Sequence, residues 1–189
     1  MNDEGDVGDI HRETAAGWDV VAREKYGAEF DDHVAHLRAG GDNLLSEEHA
    51  LLADLLPGAR VIQLQCSHGL DALGLLNAGA ASVVGVDLSA EMVAQARAKA
   101  EAVGAVAASF VVGDAADPPG ELDDSADLVY TGRGSLCWLM ALDPWARGVA
   151  RLLRPGGSLV IYEGRFPRRV AERGAGPDTP RMPERHWRP

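Results

Sequence analysis

The stretch Val61-Ile-Gln-Leu-Gln-Cys-Ser-His-Gly-Leu-Asp-Ala-Leu73, followed by Val83-Val-Gly-Val-Asp87, decides the fold. It has the pattern of a buried strand, a tight turn, the start of a helix and a second buried strand that ends in a carboxylate. In doubly wound α/β proteins, a carboxylate at this position accepts hydrogen bonds from the ribose of a nucleoside. Asp87 is therefore the leading candidate binding residue, and a purely helix-capping role is less favoured because Ser89 can fill it.

The turn after the first strand is poor in glycine. Dinucleotide sites use three glycines, so that the backbone can approach a pyrophosphate and the helix can pack on the strand. Here Gln65, Ser67 and Leu70 take such positions, and only Gly69 lacks a Cβ atom. A nucleoside with an amino-acid tail needs only N–H groups at a helix N-terminus and an acid for the ribose. This chemistry indicates S-adenosylmethionine and disfavours a nicotinamide-dependent oxidoreductase.

Five motifs in order resemble the nucleoside-binding region of class I S-adenosylmethionine-dependent methyltransferases. The first, Leu64-Gln-Cys-Ser-His-Gly-Leu-Asp71, is similar to the branch of that family whose loop reads Leu-Gln-Cys-x-x-Gly-x-Asp. The others are Gly85-Val-Asp-Leu-Ser89, Gly113-Asp-Ala115, Asp127-Leu-Val-Tyr130 and Leu153-Arg-Pro-Gly-Gly157. The resemblance implies an α/β fold: a Rossmann-like, doubly wound, mostly parallel sheet with helices on both faces.

The resemblance also implies a cofactor, S-adenosylmethionine, and the residues that bind it. Ser67 and Gly69 would present backbone N–H groups to the methionine carboxylate, and Tyr26 would reach the methionine end. Asp114 would accept a hydrogen bond from the adenine amino group, with the Ala115 N–H as a further partner. The full expected set is Gln65, Cys66, Ser67, Gly69, Asp87, Leu88, Met92, Asp114, Ala115, Thr131 and Tyr26.

Several candidates have a plain structural alternative. Asp114 can simply form a turn, and Trp18 and Tyr26, at helical spacing, can serve an ordinary core. His68 can be a general base, but a lone loop histidine is more often solvated or hydrogen-bonded. No catalytic residue is assigned, because methyltransferases of this kind work mainly by placing the nucleophile in line with the methyl group.

The loop after the fourth strand contains Arg133, Ser135 and Trp138, in a region where similar enzymes often contact the acceptor. The spacing of these three residues in the sequence does not show whether they contact an acceptor or only anchor the loop. No second His or Cys stands at a metal-ligand spacing, so no metal is expected.

Composition narrows the range of partners. The formal net charge of -11 argues against nucleic acid, since phosphate binding needs a basic face, and we expect a small-molecule acceptor. No stretch approaches the roughly 20 apolar residues of a membrane helix, and the acidic N-terminus is unlike a signal peptide. We therefore expect a cytoplasmic protein without a membrane partner. Cys66 and Cys137 form no disulfide framework.

Composition changes after Glu163. Residues 164–189 contain seven Arg and five Pro, with no hydrophobic period. We expect a methyltransferase-like domain over residues 1–163 and a disordered or loosely docked tail over 164–189. The last two strands of the full methyltransferase fold would then be missing, and the exposed edge of the fifth strand would pair with a second copy as a homodimer.

The same reasoning places the secondary structure. Helices are predicted over residues 11–26, from Ser46 to near Leu56, over 70–78, from Ser89 to Val103 and from the N-cap Asp143 onward. Strands are predicted over residues 60–65, 82–87, 108–112, 126–130 and 158–162. Two functions stay open: methyl transfer to a small molecule, and a non-catalytic S-adenosylmethionine-binding remnant or regulatory protein that has lost its acceptor site.

Overall fold

A parallel five-stranded sheet forms the centre of the molecule. The computed structural model describes residues 3–163; the expectations for the tail after Glu163 and for the missing last strands lie outside this part of the chain. The strands are β1 (Arg60–Leu64), β2 (Ser82–Asp87), β3 (Ala108–Val112), β4 (Ala126–Gly132) and β5 (Leu153–Tyr162). They lie in the order β3-β2-β1-β4-β5, and every neighbouring pair is parallel. The predicted doubly wound α/β fold is confirmed.

Six α-helices flank this sheet in the described residues. They are α1 (Asp3–Val21), α2 (Phe30–Arg38), α3 (Ser46–Leu52), α4 (Leu70–Asn77), α5 (Ala90–Val103) and α6 (Leu142–Leu152). Side chains of α4 and α5 join one core cluster with Val61, Val83 and Leu128, whereas those of α6 join a second with Ile62 and Val129. Neighbouring strand residues such as Val61 and Ile62 thus face opposite layers, as the period of two along a strand requires.

The helix that precedes the sheet differs from the prediction. The residues from Ala22 to Tyr26 form a π-helical turn, in which the Gly27 amide donates to the Ala22 carbonyl at 3.0 Å. The spacing of apolar residues along the sequence does not distinguish an α-helix from a π-helix. Short π-helical turns commonly lie at functional sites. Helix α2 follows after a short turn and has no counterpart in the sequence-based prediction.

Several element ends differ from the prediction. Strand β5 begins at Leu153, five residues before the predicted start at residue 158, because Leu153 already pairs with Ala126 of β4 before a bulge in the pairing. The N-cap of α6 is Ala141, so the predicted cap Asp143 lies inside the first turn. Helix α3 begins at Ser46 with Leu45 as N-cap, and it ends at Leu52, four residues before the predicted end near Leu56. By contrast, the Ser89 hydroxyl accepts a hydrogen bond from the Met92 amide at 3.1 Å, which confirms that cap.

The edge strand β5 pairs with β4 alone among residues 3–163. It carries the exposed side chains Leu159 and Ile161. An unpaired strand edge can template pairing with another chain, so homodimerisation through β5 stays a prediction.

Lys99 is an unexpected member of the buried face of α5. Its side chain is fully buried, and its Nζ donates to the His68 carbonyl at 3.2 Å and to the Gln95 Oε1 at 3.4 Å. The Nζ also lies 5.2 Å from the centre of the Phe30 ring. No carboxylate forms an ion pair with it in the described part of the chain, and burial lowers the pKa of Lys99 to about 8.

This burial predicts an unusual dependence of stability on pH. The unfolded chain holds the Lys99 proton up to about pH 10, whereas the folded chain releases it near the lowered pKa of about 8. Because the unfolded state then binds more protons at this site, the contribution of Lys99 to the free energy of unfolding should rise by about 2 kcal/mol between about pH 7 and pH 9.5. The buried Cys66 thiol, whose pKa is raised by burial, acts in the opposite direction, so the contribution of Lys99 is the difference between wild type and a variant that lacks this lysine. Chemical denaturation across that range measures the change.

The control for this prediction uses the exposed Lys25, the other lysine of the chain. The Lys99→Met variant should lose the alkaline rise, because it removes the titrating group and keeps the volume, and Lys25→Met should retain it. An equal rise in wild type and Lys99→Met would refute the assignment to Lys99.

Candidate functional site

A cavity of about 580 Å³ lies over the carboxyl ends of the strands. Sequence motifs from the ends of β1, β2, β3 and β4 all contribute to its wall. Because β1 lies between β2 and β4 in the sheet order, this is also the point where the strand order reverses. Open α/β sheets bind their ligands at such a switch point.

Nine of the eleven residues predicted to bind a cofactor line this cavity. Two predicted positions, Gly69 and Thr131, lie outside its wall. The nine are Gln65, Cys66, Ser67, Asp87, Leu88, Met92, Asp114, Ala115 and Tyr26.

Asp87 joins the loop after β1 to the start of α5. Its Oδ2 accepts a hydrogen bond from the Ser67 amide at 2.7 Å, and its Oδ1 accepts one from the Ser89 amide at 3.0 Å. Burial raises the pKa of this carboxyl, although these two amide hydrogen bonds act in the opposite direction. The carboxylate is thus held in a fixed orientation at the cavity wall.

Gly69 has a packing role in this structure. Its φ is +79°, and a Cβ atom there would lie 2.5 Å from the Cβ of Ala96 on α5. Its amide donates to the Cys66 carbonyl at 3.1 Å, while the Ser67 amide is used by Asp87. The two N–H groups expected to bind a methionine carboxylate are therefore engaged within the protein, that of Gly69 inside the tight turn and that of Ser67 by Asp87.

Thr131 also differs from its expected position. Its side chain is fully buried, and its Oγ1 lies 2.8 Å from the Oγ of Ser135. The hydroxyl therefore joins β4 to the following loop and lies behind the cavity wall.

Asp114 lies two residues after the end of β3 and lines the cavity. Its Oδ1 accepts from the Ala116 amide at 2.8 Å, as a turn-forming Asp does. Its Oδ2 lies 3.1 Å from the Nδ1 of His11, a residue of α1 that sequence reasoning missed. Asp114 thus forms a turn and also lines the cavity.

Helix α1 covers the cavity. His11, Thr14 and Trp18 line it from one face of the helix. Beyond them, the Oδ1 of Asp19 accepts hydrogen bonds from the Ser89 hydroxyl at 2.5 Å and from the Glu91 amide at 3.2 Å. The sequence signal for this cover is the spacing of 11, 14 and 18, which indicates one helix face.

Trp18 does not pack as an ordinary core residue. Its ring lies 5.2 Å from that of Trp138, at an interplanar angle of 75°, and both rings line the cavity. The Tyr26 ring contacts that of His68, with ring centres 3.9 Å apart and planes tilted by 33°. Aromatic side chains from α1, the π-helical turn and the β4 loop thus form an apolar wall.

His68 lies beneath this wall as a neutral side chain. Burial lowers its pKa to about 3, with the nearby Lys99 charge acting in the same direction. Its Nδ1 has no hydrogen-bond partner in the described part of the chain. An imidazole with so low a pKa is a weak base, which argues against the general-base alternative.

Arg133 anchors the loop after β4. Its guanidinium donates to Glu48 and, at 3.1 Å, to Asp71, while Tyr130 donates to the same Glu48 carboxylate. Burial would raise the pKa of Glu48, but the hydrogen bonds from Arg133 and Tyr130 outweigh it and lower that pKa. Asn43 also donates to Asp71, at 2.6 Å. Arg133 is therefore a loop anchor with its charge already neutralised.

The cavity wall suits an S-adenosyl cofactor. Carboxylates follow β2 and β3 at Asp87 and Asp114, and Leu88 and Met92 add apolar surface beside Asp87. The Oε1 atoms of Gln63 and Gln65, two further wall residues, have no partner within residues 3–163. Unpaired carbonyl oxygens are costly, so the wall favours a ligand that brings N–H donors, such as an amino acid's ammonium group.

Two further findings concern the described residues. No group of three His, Cys, Asp or Glu side chains there is placed to hold a metal ion. The helices of this part of the chain are too short or too polar to cross a bilayer.

Comparison with known proteins agrees with this geometry. A family model described as a methyltransferase domain matches residues 61–157, just over half of the chain. The S-adenosylmethionine-dependent methyltransferase of Mesorhizobium loti is 30% identical over 64% of this chain and 54% of its own, with a TM-score of 0.53.

Two further solved structures are similar. The PH0226 protein of Pyrococcus horikoshii is 28% identical over 61% of this chain and 54% of its own, with a TM-score of 0.52. A complex of the Haloferax volcanii Trm112 methyltransferase activator with a methyltransferase matches at 27% identity over 76% of this chain and 58% of that one, with a TM-score of 0.58.

The chain thus spans between 54% and 58% of the length of these three structures. The match over residues 61–157 includes the loop after β1, Asp87, Asp114 and the β4 loop. S-adenosylmethionine is the cofactor that such a match implies. The chain belongs to the S-adenosylmethionine-dependent methyltransferase family, as a member with the methyltransferase domain.

Proposed function

We propose that this chain transfers a methyl group from S-adenosylmethionine to a small-molecule acceptor by in-line displacement. The observation that carries the proposal is the single cavity that extends from Asp87 and Asp114 to the aromatic wall of Trp18 and Trp138. Its volume of about 580 Å³ lies within the usual range of small-ligand sites, roughly 300 to 1,000 Å³.

The proposed cofactor lies along the ends of β1, β2 and β3. Asp87 would hold the ribose hydroxyls, and Asp114 would accept from the adenine amino group in place of His11. The unpaired carbonyl oxygens of Gln63 and Gln65 favour the methionine ammonium group. The amides of Ser67 and Gly69 are already used within the protein, so the methionine carboxylate is not assigned to them.

The cover over the cavity favours a small acceptor. Helix α1 contributes His11, Thr14 and Trp18 to the wall, so a polymer substrate would have to displace this helix. The net charge of -11 also disfavours RNA or DNA, whose phosphates need a basic surface. The aromatic pair suits an acceptor with an apolar or planar body.

The chain's own contribution is to place and enclose the reactants. When bound, the cofactor supplies an electrophilic methyl group, whose carbon–sulfur bond breaks towards sulfur as the acceptor's lone pair bonds to carbon and the acceptor loses a proton. The aromatic wall excludes water, and the fixed Asp87 carboxylate holds one reactant in place. His68 is too weak a base to be assigned the proton.

Removal of the Asp87 charge should weaken cofactor binding. In Asp87→Asn, the loss of charge-assisted hydrogen bonds should raise the Kd for S-adenosylhomocysteine roughly 10- to 100-fold. Titration calorimetry measures this Kd, and thermal unfolding verifies that the variant is folded. The matched control is Asp54→Asn, which changes an exposed carboxylate that is not part of the cavity wall and should bind as wild type does. Wild-type affinity in folded Asp87→Asn would reject the ribose assignment.

The class of acceptor can be tested without knowing its identity. We expect methyl-labelled S-adenosylmethionine, incubated with the protein and a dialysable metabolite extract, to yield label in new small molecules. Label should be absent from acid-precipitated protein and RNA added in parallel, and Asp87→Asn should lower the yield.

Two other results would change the proposal. Label confined to protein or RNA would contradict a small-molecule acceptor. Tight binding of S-adenosylhomocysteine with no labelled product in any fraction would instead favour the non-catalytic alternative.

A further inference from the structure

Glu163, the residue after β5, is surrounded by donors from one loop. Its Oε2 accepts from the Gly134 amide at 2.7 Å. Its Oε1 accepts from the Ser135 amide at 3.0 Å, the Ser135 hydroxyl at 3.1 Å and the Leu136 amide at 3.1 Å. Four donors from three consecutive residues thus converge on one half-buried carboxylate. This carboxylate has no role in the proposed methyl transfer.

The backbone of the loop explains why the donors converge. Arg133 has a φ of +60° and Gly134 a φ of +88°, so two consecutive residues are left-handed before Ser135 returns to helical geometry. Such turns direct successive N–H groups into one concave surface, which favours an anion. Without a carboxylate there, the amides of this buried loop would lack partners.

The contacts continue from Glu163 to the cavity wall. The Ser135 carbonyl accepts from the Trp138 amide at 3.1 Å and from the Gln65 side chain at 2.8 Å. The Leu136 carbonyl accepts from the Leu139 amide at 3.1 Å. Ser135 and Leu136, which donate to Glu163 through their amides, therefore also fix through their carbonyls the short helical turn that carries Trp138.

Glu163 itself is absent from the cavity wall, whereas Gly134, Ser135 and Trp138 belong to it. We propose that Glu163 is a positioning residue: its carboxylate holds the 133–138 loop so that Trp138 stands against Trp18. That this wall faces the acceptor rests on the proposed function. The effect of Glu163 on the pair of Trp rings is independent of the proposed function.

The test uses an isosteric substitution and a spectroscopic readout. In Glu163→Gln, one accepting oxygen becomes an amide nitrogen and the charge is lost, so at least one loop N–H faces a donor. Two coupled Trp rings give a far-ultraviolet circular dichroism couplet. We expect Glu163→Gln to lose most of this couplet while its thermal unfolding remains cooperative.

Control variants fix the origin of the signal. Trp138→Phe should lose the couplet, and adding Glu163→Gln to it should cause no further loss. Glu101→Gln, which neutralises an exposed glutamate on α5, should keep the couplet. An unchanged couplet in Trp138→Phe would overturn the pair on which the proposal rests.

The outcomes separate positioning from simple stabilisation. Folded Glu163→Gln with a wild-type couplet and only a lower Tm would overturn the proposal. If Glu163→Gln does not fold, Glu163→Asp, which keeps the charge but shortens its reach, should show a partial loss, and a full couplet there would also overturn it. Failure of the wild type to bind S-adenosylhomocysteine would reject the proposed function and leave this result standing.

Discussion

The parallel pairing of β1 with its neighbours is the constraint on which the site depends. Leu64 lies opposite Val86 in the sheet, and the Cys66 amide extends that pairing by donating to the Val86 carbonyl at 3.0 Å. This register leaves the turn after β1 directly beside Asp87. Because all neighbouring strands run the same way, the loops that follow them meet at one edge, and a cavity must form between them.

The loops at this edge lie beyond the strand ladder, so their amides need other partners. Carboxylates supply them on both sides of the cavity. Asp87 holds the loop after β1, whereas Glu163 and Glu48 hold the loop after β4, the latter through Arg133. A fully buried acid such as Glu48 is stable only with such paired donors. Charge-assisted hydrogen bonds thus hold the loops on both sides of the cavity.

Sequence patterns were informative where one local signal decides the structure. The Val-rich run before Asp87 and the Ser89 cap were placed correctly, because strand burial and N-capping depend on a few neighbouring residues. The start of α6 was placed wrongly, because Pro144 fits the third position of a helix as readily as the first. The burial of Lys99 and the role of Glu163 depend on partners from other elements, the His68 carbonyl and the 134–136 amides. No local pattern contains those contacts.

In this structure, Asp87 can accept hydrogen bonds from backbone amides, including one at the start of α5, and still be available to bind a ribose. Each of its oxygens accepts one backbone N–H, from Ser67 or from Ser89, and a carboxylate oxygen can accept a second hydrogen bond. The amide bonds fix the plane of the carboxylate before any ligand arrives, so little rotational freedom would be lost on binding. Burial, which raises its pKa, also strengthens any hydrogen bond it then accepts. A residue that caps the fold can therefore be better prepared to hold a ribose than a free side chain.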